Sequence, residues 1–234
     1  FFRTRLFSSH SYRMFFTNST DLLNLERIPP DPETPLTDVL LHPSIFLALR
    51  TNQKSTINYL AGQIQNLLDY AFKDVSSAES TSSFEILLLM IPQITQALID
   101  HCLFYKFANN LLLENLPDPI AGRLSYLTLK LLCSSMKGAL DSCGFILQLF
   151  QYSDNTSVTD LFVNLMENTS ELVSIQRWLI NRDITSEIIR SFNEIQLENV
   201  SQTNFSSIEN QKLCSLFQII RAAFNNPITR PSFT

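Results

Sequence analysis

The chain has 234 residues, of which 45% are hydrophobic and 17% are charged, and its formal net charge is −5. So many apolar side chains are enough for a large core, which excludes disorder as the global state. The negative charge gives no general attraction to nucleic acid or to anionic lipid. Because only four residues are glycine, hairpin-rich β folds and glycine-rich phosphate loops are disfavoured, and composition predicts an all-α protein.

Residues 1–35 are predicted to be a leader with little regular structure. The leader ends in the proline-rich stretch PPDPETP at residues 29–35, which breaks any helix because proline lacks the amide donor. Its first residues include arginines and aromatics but lack the continuous apolar run of a secretory signal. The chain begins at Phe1, and we expect Met14 to be a natural start residue. Residues 36–234 are predicted to form one helical-repeat domain.

The first predicted helices follow this leader. A short helix begins at Leu36 and is interrupted by Pro43. One longer helix is predicted after Ser55, because apolar residues recur there at the three-and-four spacing that places them on one face. These residues are Ile57, Leu60, Ala61, Ile64, Leu67, Leu68 and Ala71. The serine-rich residues 73–83 are predicted to be a polar loop.

Proline and glycine separate the predicted helices in the middle of the chain. Apolar stripes of helical spacing run over residues 84–91, 94–101, 103–113 and 120–131. Pro92 marks a break after the first of them, and Pro117 and Pro119 precede the last. After Gly138 we predict a further helix that carries Cys143, Ile146, Leu147 and Phe150.

Capping residues mark helix starts in the second half of the chain. Ser157 with Asp160 fits a capping box, in which side-chain oxygens satisfy amides left free at a helix start, and Asn168 with Glu171 repeats the pattern. Trp178 lies beside the stripe of the next helix, either as an exposed anchor for a partner or packed between helices. The turn Asn181-Arg182-Asp183 follows. The remaining predictions are a helix over 184–192, a polar stretch over 194–205 and a last helix around 213–220.

The chain therefore reads as about ten short helices, each with one apolar face. No single helix can bury its stripe alone, so neighbouring helices must stack. An α-solenoid of HEAT or armadillo type and a closed bundle both satisfy this requirement. The number of short consecutive helices favours the α-solenoid.

No recognisable catalytic motif occurs, so we predict a protein that is not an enzyme and has no catalytic, cofactor or metal site. His10, His42 and His101 are widely spaced and lack a ligand partner three or four residues away. The cysteines show no CxxC pairing, and buried reduced thiols are favoured over a metal site or disulfides. They are Cys102, Cys133, Cys143 and Cys214.

Two features bear on membranes and secretion. The longest wholly apolar run, residues 86–91, is far too short to cross a bilayer. Five Asn-x-Ser/Thr sequons are either chance occurrences in an Asn- and Ser-rich chain or glycan acceptors of a secreted protein. Two of them also have a local use as helix-start residues, Asn155 and Asn168. The sequon asparagines are Asn18, Asn155, Asn168, Asn199 and Asn204.

Several stretches of the chain share the pattern of one known family. They are MFFTNSTDLL from Met14, the residues at 38–40, 49–54 and 58–60, the helix at 159–166, Trp178-Leu179 followed by Ile184, Ile188 and Ile189, and Leu213-Cys214 with Ile219-Ile220-Arg221. Together they resemble the SAPS-domain family, whose members are regulatory subunits of a type 2A-like Ser/Thr protein phosphatase, the type 6 enzyme in animals. The similarity spans about residues 14–224 and runs helix by helix. The proline-rich residues 29–35 replace the acidic turn near the start of the family's domain.

The resemblance implies a non-catalytic scaffold that binds the phosphatase catalytic subunit and directs it to substrates or ankyrin-type partners, in the cytosol and the nucleus. The family's domain is longer, so it implies that the chain covers the N-terminal part. Because turns between helices expose backbone and charge, we expect Asn181, Arg182 and Asp183 to contact the partner. The alternatives are an unrelated armadillo-like adaptor in trafficking or transport, a helical enzyme with a site assembled from separated acids and histidines, and a secreted glycoprotein.

Overall fold

The computed structural model describes residues 34–114, 116–167, 170–199 and 207–233. Within these ranges every regular element is a helix and there is no β-strand, which confirms the all-α class. The predicted leader lies outside the described residues except for its last two. One of these, Thr34, accepts a hydrogen bond through its carbonyl oxygen from the hydroxyl of Tyr59, at 2.6 Å.

The described residues contain thirteen α-helices and four short 3-10 helices. The α-helices are α1 (Leu36–Leu40), α2 (Ile45–Arg50), α3 (Lys54–Gly62), α4 (Ile64–Lys73), α5 (Ala78–Leu88), α6 (Pro92–Ile99), α7 (Leu103–Leu112), α8 (Asp118–Cys133), α9 (Ala139–Ser142), α10 (Thr156–Met166), α11 (Val173–Asn181), α12 (Ile184–Asn199) and α13 (Ser207–Asn225). The 3-10 helices are Asp100–Cys102, Ile146–Tyr152, Ser170–Leu172 and Arg230–Phe233.

The single helix predicted after Ser55 is two helices, α3 and α4. The break lies at Gln63, whose φ of −101° and ψ of 18° leave the helical region. Ile57 and Leu60 before the break and Leu67 after it are all buried. A break of one residue keeps these side chains on the core side of both helices, so the apolar spacing alone gave no sign of it.

The polar loop predicted at residues 73–83 is wrong for its second half, because α5 begins at Ala78. The hydroxyl of Ser77 caps this helix by accepting a hydrogen bond from the amide of Ser80, at 3.1 Å. Ser80 and Ser83 are fully buried. Their small side chains allow α5 to pack closely against α4, and this packing outweighs the modest helix propensity of serine.

The helix predicted after Gly138 is only partly present. α9 ends at Ser142, and the apolar residues that follow form the 3-10 helix Ile146–Tyr152. Gly138 itself has a φ of +88°, and a Cβ there would lie 2.8 Å from the side chain of Ile99. The 3-10 segment still buries Phe150, whose ring centroid lies 4.0 Å from that of Phe162.

The second half of the chain corrects two local predictions. Asn155, which the sequence predicted as a helix-start residue, caps α10 in place of the predicted Ser157–Asp160 box. Its side-chain oxygen accepts hydrogen bonds from the amides of Ser157 and Val158, at 2.9 and 3.4 Å. Asn168 of the second predicted box lies outside the described residues. α12 continues to Asn199, so the first part of the predicted polar stretch is helical.

The helices pack in two arrangements around one continuous core. In the first half, α4 packs on α5, and α3 packs on α6, so one pair encloses the other along the chain. In the second half, α10 contacts both α8 and α13, while the 3-10 helix Ile146–Tyr152 contacts α12. A single cluster of buried side chains runs from Leu36 to Ala223 through both halves.

Candidate functional site

The predicted partner-binding turn joins α11 to α12, and Asn181, Arg182 and Asp183 are all exposed. Two of the three also support the fold. The Arg182 guanidinium donates a hydrogen bond to the carbonyl of Gly144 at 3.3 Å and lies 4.8 Å from the centre of the Trp178 ring. Asp183 has a φ of +59°, and its carboxylate accepts from the amide of Ser186 at 3.3 Å, at the start of α12.

Trp178 is half-buried and packs against the core. With Arg182 stacked on its ring, it links the turn to the body of the protein. The structure therefore supports the packing interpretation of this tryptophan, with the stacked arginine at the solvent edge.

A groove that the sequence did not reveal lies where α8, α10 and the 3-10 helix Ser170–Leu172 meet. Its volume is about 470 Å³, and Leu129, Leu161 and Leu172 provide apolar walls. A second hollow of about 480 Å³ adjoins it and shares Cys133, Glu171 and Leu172 with it. We call these two hollows together the α8–α10 groove. In sequence, α8 and α10 each look like an ordinary amphipathic helix. Neither pattern predicts the surface that the two helices form together.

Four charged side chains lie along the first hollow, Lys130, Asp160, Glu167 and Glu171. Asp160 is half-buried, and burial raises the pKa of its carboxyl. Within the described residues, no salt bridge involves any of these acids. The Lys130 ammonium lies 5.7 Å from the centre of the Tyr126 ring. The groove is thus an apolar surface on which acids outnumber cations.

Cys133 lines both hollows, but its surroundings do not activate the thiol. Although the residue as a whole is exposed, partial burial of the thiol raises its pKa, the nearby Lys130 lowers it, and Glu171 raises it again. Because burial is the largest of these effects, Cys133 is predominantly a neutral thiol at physiological pH. A nucleophilic cysteine needs the opposite shift.

The other residues considered in sequence do not converge on this groove. The Nδ1 atom of His42 accepts a hydrogen bond from the amide of Ser44 at 3.2 Å, and His10 lies outside the described residues. His101 and Cys102 are exposed and have φ values of 53° and 55° in the link between α6 and α7. The part of the chain that the structure describes contains no group of three or more potential metal ligands.

The prediction of buried thiols is correct for only one cysteine. Cys143 is fully buried, and burial strongly raises its pKa. Cys102, Cys133 and Cys214 are exposed, because each lies on the solvent side of its helix or at a helix end. All four are free thiols.

Among the described helices, none is by itself both long and apolar enough to span a membrane. One pair, Ala78–Leu88 with Pro92–Leu112, reaches the required length and composition together, but it is bent by 97°.

Comparison with known proteins adds no relative to this picture. No protein-family model, no curated protein and no solved structure matches the chain.

Proposed function

We propose that the protein is a non-catalytic scaffold subunit that binds the catalytic subunit of a type 2A-like (type 6) Ser/Thr protein phosphatase and directs it to substrates. One observation carries the proposal. The segments of the second half that resemble SAPS-domain proteins, although separated in sequence, lie in helices that contact one another. α10 touches α11 and α13, and α12 touches both α11 and α13. Helices that contact one another are expected to carry the resemblance if the chain and the family share one packing arrangement. Chance similarities of unrelated segments would not be expected to cluster in this way.

The finer architecture we propose is a HEAT- or armadillo-like α-solenoid. Its support comes from the second half, where α8, α10 and α13 contact in succession as one row. The 3-10 helix Ile146–Tyr152 and α12 form a second row beside it. Stacked helical hairpins produce two such rows and leave long surfaces open for protein partners.

The proposed contact with the phosphatase is the turn Asn181-Arg182-Asp183. Its stacked arginine and capping aspartate hold the turn in one conformation, which lowers the entropic penalty of binding. The proposed further partners are substrates and ankyrin-type proteins, and the proposed location is the cytosol and the nucleus.

Affinity purification of the tagged full chain, followed by mass spectrometry, tests this function. We expect a Ser/Thr phosphatase catalytic subunit among the proteins recovered. Asn181→Glu should reduce its recovery, because the charge falls on the proposed contact, whereas Asn193→Glu at an exposed position of α12 should not. Recovery of no phosphatase catalytic subunit would contradict the proposal, and consistent recovery of transport or coat components would favour the armadillo-like adaptor instead.

A helical enzyme is the second candidate, because Lys130, Asp160 and Glu171 line one groove. A carboxyl with a raised pKa in a groove is a property that general acids share. Assays of the purified chain on chromogenic phosphate, ester and glycoside substrates test this candidate. Turnover that Asp160→Asn abolishes would establish the enzyme, and turnover that survives this substitution would exclude Asp160 from catalysis.

A further inference from the structure

The α8–α10 groove shares no lining residue with the turn Asn181-Arg182-Asp183 that is proposed to contact the phosphatase. The first hollow of the groove has apolar walls from Leu129, Leu161 and Leu172, and three carboxylates also line it, those of Asp160, Glu167 and Glu171. The single cation in its lining, Lys130, lies near the Tyr126 ring. Since no salt bridge within the described residues neutralises these acids, the groove attracts positive charge while its walls favour apolar side chains.

A buried hydroxyl in the same groove points independently to a ligand. Ser125 lines the first hollow, and only 1% of the residue is exposed. Its Oγ atom has no hydrogen-bond partner in the described part of the chain. A buried polar atom without a partner destabilises a protein, because it has given up its hydrogen bonds to water without replacing them, and such atoms are uncommon in native structures. A bound group that hydrogen-bonds to Ser125 would remove this penalty.

We propose that the α8–α10 groove docks a basic amphipathic segment of a partner protein. Apolar side chains of the segment pack on Leu129, Leu161 and Leu172. A lysine or arginine of the segment pairs with the half-buried carboxylate of Asp160, and further basic residues lie near Glu167 and Glu171. An amphipathic helix laid into a hydrophobic groove is a common mode of peptide recognition, and its fixed three-and-four spacing matches a groove formed between helices.

Matched peptides test the charge and the apolar face separately. Three fluorescein-labelled peptides of about 14 residues, or four helical turns, share one helical design. The first has leucines on one face and lysine and arginine on the other, the second replaces the basic residues by glutamate, and the third replaces the leucines by serine. We expect the full chain to bind the first at least about tenfold more tightly than either of the others, measured by fluorescence anisotropy at physiological ionic strength. Equal affinity for the basic and acidic peptides, or no binding of the first, would overturn the proposal.

A pair of variants locates the binding. Asp160→Asn removes the half-buried negative charge and keeps the shape of the side chain. We expect it to lower the affinity for the basic peptide about three- to tenfold. Asp69→Asn removes an exposed carboxylate of α4, outside the groove, and should leave the affinity unchanged. Equal weakening by both variants would mean that net charge alone drives the binding, and it would overturn the assignment to the groove.

The cysteines provide a direct measure of occupancy. Cys133 lines both hollows, whereas Cys102 and Cys214 are exposed and line neither. The basic peptide should slow alkylation of Cys133 by iodoacetamide and leave the other two rates unchanged. Unchanged Cys133 reactivity in the presence of saturating peptide would refute the site. Protection of Cys133 that rises with protein concentration in the absence of peptide would identify a second copy of the chain as the occupant and overturn the proposal.

Discussion

Arg123 ties an irregular segment of the first half to α8. Its guanidinium donates hydrogen bonds to the carbonyls of Ala71 and Val75 and to the Ser80 hydroxyl, at 2.5, 3.0 and 2.6 Å. It also lies 4.9 Å from the centre of the Phe84 ring. Burial lowers the pKa of Arg123, but an arginine side chain remains protonated at neutral pH. One side chain thus satisfies three acceptors where α4 ends and α5 begins.

We therefore expect Arg123→Ala to lower the free energy of unfolding by about 2–3 kcal/mol, because charged hydrogen bonds are lost and their acceptors are left half-buried. Urea denaturation measures this change. Arg123→Lys keeps the charge but not the planar set of donors, so it should recover only part of the loss. The control is Arg190→Ala on the surface of α12, where Arg190 pairs with Glu187 and Glu194; it should change the stability by less than about 0.5 kcal/mol. Equal effects of the two alanine variants would contradict the anchoring role.

Asp160 gives a prediction for the dependence of stability on pH. Its carboxyl is half-buried, and burial raises its pKa in the folded protein above the unfolded value. A raised carboxyl pKa means that the folded state holds the proton more tightly than the unfolded state. The stability that it contributes is therefore fully present below the unfolded pKa and is lost as the pH rises through the folded pKa.

Asp160→Asn should consequently be more stable than the unsubstituted protein at pH 7, and this difference should shrink as the pH falls through the folded pKa of Asp160. Urea denaturation at a series of pH values measures it. Asp69→Asn, in which the substituted carboxylate is exposed, is the matched control and should shift stability little across the series. A variant Asp160→Asn that is less stable than the unsubstituted protein at pH 7 would contradict this prediction. It would mean that the charged carboxylate already stabilises the folded chain and is not left unpaired for a basic residue of a partner.

The start of α10 depends on Asn155. Its side-chain oxygen caps the helix, and its side-chain nitrogen donates to the carbonyl of Asp118 at 3.1 Å, which joins α10 to α8. We expect Asn155→Ala to lower the free energy of unfolding by about 1 kcal/mol, the usual effect of losing a cap. Ser157→Ala, at the cap that the sequence pattern predicted, should change it by less than about 0.5 kcal/mol. If urea denaturation showed a larger loss of stability for Ser157→Ala than for Asn155→Ala, the predicted capping box would be the better description.

Most helices were predictable because apolar spacing and proline positions act locally. Pro43, Pro92 and Pro117 each lie at a boundary, and the stripes between them are buried as expected. The two segments whose structure was predicted wrongly, 78–83 and 146–152, are both determined by long-range packing. Residues 78–83 are helical because their serines fit closely against α4, and Ser80 is bonded to Arg123 from far along the chain. Residues 146–152 adopt 3-10 geometry while burying the same apolar side chains that an α-helix would bury.

The all-α class of the protein follows from its composition and apolar spacing, but its most distinctive surface does not. The turn Asn181-Arg182-Asp183 was predictable because it interrupts an apolar pattern. The α8–α10 groove was not, since Leu129 and Leu161 belong to different helices and only tertiary packing brings them together. The same holds for Ser125, whose unpaired hydroxyl has meaning only once its burial is known.

The packing also predicts how the chain unfolds. A solenoid in which each repeat touches only its neighbours can lose its terminal repeats first. Here α3 packs on α6, across the α4–α5 pair that lies between them in sequence. Near the other end, the Asn226 side chain donates a hydrogen bond to the Met166 carbonyl at 3.0 Å, which ties the end of α13 to α10. With one core cluster from Leu36 to Ala223, we expect a single cooperative transition.

Two probes of this transition should coincide in urea. One is the fluorescence of Trp178, the sole tryptophan, which reports on the centre of the second half. The other is hydrogen exchange of the amides of α3 and α13, read by mass spectrometry, which reports on one helix of the first half and on the last α-helix. Loss of protection in α13 at a lower urea concentration than the Trp178 transition would show that the C-terminal helices unfold as a separate unit. The contacts of Asn226 would then be too weak to couple them to the core, and a solenoid with independent end repeats would describe the molecule better than one continuous body.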